Sequence, residues 1–327
     1  MKRKKISGLS CAVLALALAC GTGLKAAQAV SVNEPSGINL GGTSFLDGFG
    51  TLKPGFIYQQ YFQIQHFNAI NDTNGDAVGA FKNTSITAIV SVNQLIYVSP
   101  LHLFGGALGG TVLLPLTDLN ASVAKDSPAK LVANRGLGVG DLTWGPFLEM
   151  PMVMRNGHPF FEQRFEFDVI SPTGSYDTSK DINPSSGFWS INPYWSFTVL
   201  PTAKTEISAR LHYLHNFTNG QPASSEALPA GTTTQAGDAA WVNFTASYEI
   251  LPRLHFGLNG YAFKQFTDDK VDGVVQKGTE TENIAIGPGG VYAFNHSNLF
   301  FLNLYLPVVK KNTTNGVNGV IRWVHAF

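Results

Sequence analysis

In the stretch Phe160-Phe-Glu-Gln-Arg-Phe-Glu-Phe-Asp-Val169, large apolar and charged residues alternate. Successive side chains of a strand point to opposite faces. Phe161, Phe165, Phe167 and Val169 therefore share one face, and Glu162, Arg164, Glu166 and Asp168 the other. Such a strand cannot sit between two dry layers of a soluble sandwich. It fits a wall with an apolar medium on one side and a polar interior on the other.

The same period of two recurs in both directions from there. Phe56, Tyr58, Phe62 and Ile64 oppose Gln59, Gln63 and Gln65, and one face of 86–98 reads Ile86, Ala88, Val90, Val92, Ile96, Val98. Leu142, Trp144, Leu148 and Met150 oppose Asp141, Thr143 and Glu149. Trp189, Ile191, Trp195, Phe197 and Val199 oppose Ser190, Asn192, Tyr194, Ser196 and Thr198. In 203–217, Ile207, Ala209, Leu211, Tyr213 and Phe217 oppose Lys204, Glu206, Ser208, Arg210, His212 and Asn216. In 241–250, Val242, Phe244, Ala246, Tyr248 and Ile250 oppose Asn243, Thr245, Ser247 and Glu249. A Gly-rich apolar stretch at 103–116 and segments 254–266, 283–294, 298–308 and 319–327 complete about twelve strands of roughly ten residues, an even number within the range of bacterial barrels. Short turns are expected at Ser99-Pro100, Asn156-Gly157, Leu200-Pro201, Leu251-Pro252 and Asn295-His296. Long polar loops are expected near 70–83, 117–137, 171–187, 218–239, 267–282 and 309–318. Alternating short and long connections are the rhythm of an outer-membrane barrel. The expected fold is all-β: a transmembrane, antiparallel, up-and-down β-barrel over residues 51–327, with both ends periplasmic.

The two ends agree with that. The last strand, Asn318-Gly-Val-Ile-Arg-Trp-Val-His-Ala-Phe327, alternates and ends on an aromatic residue, resembling the signal read by the barrel-assembly machinery. At the front, Lys2, Arg3, Lys4 and Lys5 precede an apolar run from Cys11 to Cys20 and the small-x-small site Ala27-Gln28-Ala29. Residues 1–29 thus read as a cleaved secretory signal, too short to span a bilayer as a helix. Cys20, between Ala19 and Gly21, also fits lipid attachment, although Ala17 stands where that motif usually has a larger aliphatic residue. Both cysteines lie in the signal, so the exported chain is expected to have neither a disulfide framework nor a thiolate metal site. The signal holds five of the 22 basic residues and none of the 22 acidic ones, leaving 17 against 22, a formal charge of −5. No basic patch invites nucleic acid. Charged residues make up 13% of the chain, against about 25% for ordinary globular proteins. Residues 30–50 alternate poorly; Gly41-Gly-Thr-Ser-Phe-Leu-Asp-Gly48 could plug the lumen or hang in the periplasm.

Several motifs in order carry a family likeness: Ser171-Pro-Thr-Gly-Ser-Tyr-Asp177, Phe188-Trp-Ser-Ile-Asn-Pro-Tyr194, Gly257-Leu-Asn-Gly-Tyr261 with Gln265 and Asp268-Asp269, and Ala285-Ile-Gly-Pro-Gly289. From about Phe45 to Phe327 the chain resembles the outer-membrane family named for the meta-pathway of phenol degradation. It departs from the family pattern at 308–316, where an acidic residue and an Asn-Arg pair are expected. The resemblance implies an outer-membrane channel for small hydrophobic, often aromatic, compounds, with no catalytic residues and no cofactor.

The ionisable groups expected on the inner face are Glu149, Glu162, Arg164, Glu166, Asp168, Lys204, Glu206, Arg210, His212, Glu249 and Arg322. They read either as a charged constriction that sets selectivity or as paired charges filling the lumen. Inward Tyr61, Tyr194, Tyr261 and Tyr305 could offer stacking surfaces to an aromatic solute. Trp189, Trp195, Tyr213, Trp241, Tyr248, Tyr292 and Trp323 read as interfacial girdles. His212 and His215, three apart on a strand, fall on opposite faces and are not expected to share a metal ion. Arg135-Gly-Leu-Gly-Val-Gly140 lacks the strand-then-helix setting of a phosphate loop, and no Gly-x-Ser-x-Gly elbow marks a nucleophile. The expected partners are outer-membrane lipid, lipopolysaccharide and a small apolar solute. The competing reading is a structural or adhesive barrel with a closed lumen and partner-binding outer loops.

Overall fold

In a computed structural model, residues 38–327 are described. The expected signal over 1–29, and residues 30–37, lie outside them. Twelve strands form the wall. They are β1 (Gly55–Ile70), β2 (Ser85–Leu103), β3 (Gly106–Ser122), β4 (Leu142–Glu149), β5 (His158–Ser171) and β6 (Ser190–Thr202), followed by β7 (Thr205–Asn216), β8 (Ala239–Leu251), β9 (Leu254–Gln265), β10 (Glu282–Asn295), β11 (Asn298–Lys311) and β12 (Thr314–Ala326). Each pairs antiparallel with the next, and β12 returns to β1 from Ile57↔Ala326 to Ile70↔Thr314, so the wall is a closed barrel. Closure leaves no strand edge with unpaired backbone, as a hydrocarbon surrounding demands. The short segment Gly136–Val139 extends β4 along β3.

The alternation works as expected along β5: Phe165 and Phe167 are each 43% exposed on the outside, while Glu162 and Glu166 are buried on the inside. It reverses on β2. There the apolar set Ile86, Ala88, Ile96 and Val98 is buried inward, and Ile89, Leu95 and Tyr97 face out with Ser91 and Asn93 between them. The cause is what the lumen holds: Ile96 and Val98 pack with Ala107, Phe147 and Leu52 of the incoming N-terminal segment. The outward polar groups find partners along the wall, the Tyr58 hydroxyl donating to Asn93 Oδ1 at 2.6 Å.

Three connections also differ. Ser99-Pro100 and Leu200-Pro201 lie inside β2 and β6, at register shifts between Val98 and His102 and between Val199 and Thr202. A proline cannot donate to the ladder, so it is carried as a bulge and the turn comes later. On β2 it comes at Phe104-Gly105, both with positive φ. The expected outer loop 309–318 is instead a tight turn at Asn312-Thr313, with Asn312 at φ 51°. The other five outer connections are long, and two of them contribute a small sheet of Thr234–Gln235, Lys270–Val271 and Val274–Val275.

Candidate functional site: a plugged lumen with an amphipathic chamber

Of the segment left open between lumen and periplasm, residues 38–50 run inside the barrel. Five of their backbone amides donate to wall side chains. Gly41 N meets Asn243 Oδ1 (3.1 Å), Leu46 N meets Glu206 Oε1 (3.0 Å), and Asp47 N meets Ser208 Oγ (3.3 Å). Gly48 N meets Thr198 Oγ1 (2.9 Å) and Gly50 N meets Glu162 Oε1 (3.3 Å). The Asn39 carbonyl accepts from Trp241 Nε1 and Asn243 Nδ2, both at 3.0 Å. These bonds satisfy a non-repetitive backbone that would otherwise be buried without partners. Phe45, fully buried, packs against Val291 and Phe301. Gly41 has φ +73°, and a Cβ there would come within 2.6 Å of the Tyr305 ring, so the plug threads past that ring only as glycine.

Charges gather where the plug crosses the periplasmic half. Arg210 holds Asp47 through two parallel bonds of 2.8 Å, from Nε and Nη2. Its guanidinium lies 4.3 Å above the Tyr194 ring. Arg164 pairs with Glu166 and covers Phe147 at 3.6 Å. Arg322 lies 3.7 Å over Phe301, and its Nη2 reaches the Phe45 carbonyl at 3.5 Å. Glu206 takes Ser208, Thr245 and Ser247 hydroxyls along with Leu46 N. Planar, bidentate arginine contacts of this kind hold a buried carboxylate in one place.

Above the plug lies a chamber of about 280 Å³. Val90, Val92, Leu113 and Pro115 of β2 and β3 line it beside the polar Gln94 and Thr117, and Glu166, Asp168, Asn192, Tyr194, Arg210 and His212 line it from β5–β7. Tyr61, Tyr261 and Tyr305 line it too, so all four inward tyrosines meet in one place. An aromatic series continues across the wall: His212 stacks on Trp241 with centroids 4.1 Å apart, and Trp241 meets Phe263 at 5.9 Å. Towards the outer rim a second space of about 310 Å³ shares Gln65, Phe67, Val90, Thr117 and Thr314 with the chamber. Loops 172–189 and 217–238 line it, and loop 123–135 packs beside them. The Asp181 carboxylate ties them, accepting from Val132 N at 2.7 Å and Ser225 N at 2.8 Å.

Nine of the eleven ionisable residues expected on the inner face are buried or nearly so around this path. Lys204 and Glu249 are not part of the cluster. Lys204 stands exposed in the β6–β7 turn, and Glu249 Oε1 caps the β8–β9 turn by accepting from Arg253 N at 3.0 Å. Both sit where a strand ends and water is in reach. Trp241, expected in a girdle, faces the lumen; it shares the parity of Asn243 and Thr245, which is the inward one. His212 points in, and His215 pairs outside the lumen with Asp238 at 2.8 Å. Nothing in the sequence marks Asp47, Asn243 and Thr198 for this role, because it comes from a plug that joins strands distant in sequence.

A family model described as "Putative MetA-pathway of phenol degradation" matches residues 67–323. The chain belongs to this family. Its fold is that of an outer-membrane channel: the crystal structure of one from Pseudomonas putida F1 superposes with a TM-score of 0.73 at 16% identity, covering 87% of this chain and 100% of that one. The toluene transporter TbuX of Ralstonia pickettii (TM-score 0.40, 11% identity, 86% and 91% covered) is a more distant likeness. So is the transport unit of the autotransporter AIDA-I of Escherichia coli (0.45, 9%, 84% and 91%). No curated protein matches the sequence. This family member thus has the fold of an outer-membrane β-barrel, with Trp189, Tyr248, Tyr292 and Trp323 exposed on its outer face.

Proposed function

We propose that the protein is a channel for passive uptake of small hydrophobic or aromatic compounds across the outer membrane. One observation carries this reading: the outer space leads into a chamber where Val90, Val92, Leu113 and Pro115 put an apolar patch on a wall that is polar in an ordinary porin lumen. A solute sheds water against Val90, Val92, Leu113 and Pro115 while its polar end meets the β5–β7 wall. The ionisable residues Glu149, Glu162, Arg164, Glu166, Asp168, Glu206, Arg210, His212 and Arg322 shape the path and hold the plug, and the four tyrosines offer stacking faces. Export by cleavage after Ala29 and recognition of Phe327 by the assembly machinery belong to the same reading.

The plug favours a second reading, a structural barrel with a closed lumen. Flux decides between them. Purified protein in liposomes is expected to admit 2-phenylethanol faster than empty liposomes do. Leu113→Glu, which puts a charge on the apolar wall, is expected to reduce that flux about tenfold or more. Flux no greater than that of protein-free vesicles would leave the structural reading standing.

A further inference from the structure

We propose that the chamber is a binding site for small aromatic amines in their ammonium form. The proposal rests on the channel reading for access alone; the site is argued from the acceptors left unmatched inside it.

Each guanidinium near the β5–β7 wall is already engaged: Arg164 by Glu166 and Arg210 by Asp47. Among the described residues Asp168 is in no ion pair, and its Oδ1 is buried without a hydrogen-bond partner. A second acceptor lies two strands away. Asn192 Nδ2 donates to the Tyr213 carbonyl at 2.7 Å, which fixes its Oδ1 as the acceptor towards His212 Nδ1 at 3.1 Å. His212 Nδ1 therefore carries the proton, and Nε2 keeps a lone pair. That Nε2 is also buried and without a partner. Both groups line the same chamber as Val90, Val92, Leu113 and Pro115.

Among the unmatched groups that line the chamber with Val90, Val92, Leu113 and Pro115, these two, one of them a carboxylate in no ion pair, define the complement. The ligand has an apolar body and a head with several N–H donors and a positive charge. An ammonium supplies three donors and neutralises Asp168. A neutral alcohol satisfies one acceptor and leaves the charge, and a carboxylate meets like charge. The ring of Tyr261, also in the lining, adds an environment that favours a cation over an anion.

The test uses three ligands of one shape, phenethylamine, 2-phenylethanol and phenylacetate, in equilibrium dialysis at pH 7 against the full chain in detergent. The amine is expected to bind about tenfold or more tightly than the alcohol, with phenylacetate weakest. Asp168→Asn, which keeps the shape, is expected to abolish the amine's advantage, with the heat-sensitive gel mobility of a folded barrel confirming its fold. Should that variant not fold, the ranking of the three ligands on the unaltered protein decides. Equal binding of amine and alcohol, or an unchanged ranking in a folded Asp168→Asn protein, overturns the proposal. Flux separates the two readings. Passage of 2-phenylethanol without amine preference in binding removes this inference and leaves the channel. Amine binding without passage of any solute removes the channel and leaves the site.

Discussion

Asp47 and Arg210 meet in the lumen through two 2.8 Å bonds, with both side chains largely shielded from water. Removing one partner of a buried pair leaves the other charge without compensation, which costs about 3–5 kcal/mol. Asp47→Ala is therefore expected to lower the urea midpoint of the barrel and to loosen the plug, seen as larger or noisier conductance in planar bilayers. Asp47→Ala with Arg210→Met removes both charges and is expected to regain much of the stability while the conductance stays high. A double variant as unstable as the single one would assign the loss to something other than the stranded guanidinium.

Among the elements, β4 leaves no room for a side chain at one of its positions. A Cβ at Gly145 would overlap the Phe167 carbonyl, and Pro146 beside it has no N–H to give the ladder. Gly145→Val is expected to separate β4 from β5 at mid-height, costing about 3 kcal/mol, the upper end for overpacking. Loss of the compact, heat-sensitive gel band reads this directly. The strands themselves were legible because lipid on one side and a filled lumen on the other force a period of two. β2 defeats the simplest version of that rule. Its apolar face lines the lumen, since Leu52 and Phe147 wait there and composition alone does not say which medium a greasy face meets. The prolines of β2 and β6 misled the turn assignments for a similar reason, being absorbed as bulges. The candidate site was legible as a set of inward charges and tyrosines. It was not legible as a chamber, because Asp47, Thr198 and Asn243 join only through the plug.

For the whole molecule, the seam between β12 and β1 fixes closure, and Phe327 lies just beyond it, 80% exposed. Its ring touches His325 edge-on at 4.6 Å, and its amide bonds to the Phe56 carbonyl at 3.0 Å. An exposed side chain with so few contacts contributes about 0.5 kcal/mol or less to stability. Phe327→Ala is expected to refold from urea as well as the parent, yet to accumulate in the outer membrane at severalfold lower amounts. Equal accumulation would remove the terminal aromatic as an assembly signal.

The plug is gripped mainly by its amides, and amides are common to every residue but proline. Inheritance can therefore rewrite those plug side chains that do not themselves reach the wall, as Ser44, Phe45 and Asp47 do, while Glu162, Thr198, Glu206, Ser208 and Asn243 have little latitude. The same asymmetry makes the stopper exchangeable: a foreign peptide of equal length, keeping Gly41, Phe45, Asp47, Gly48 and Gly50, would seat in this barrel, and a shuffled wall would reject even the original.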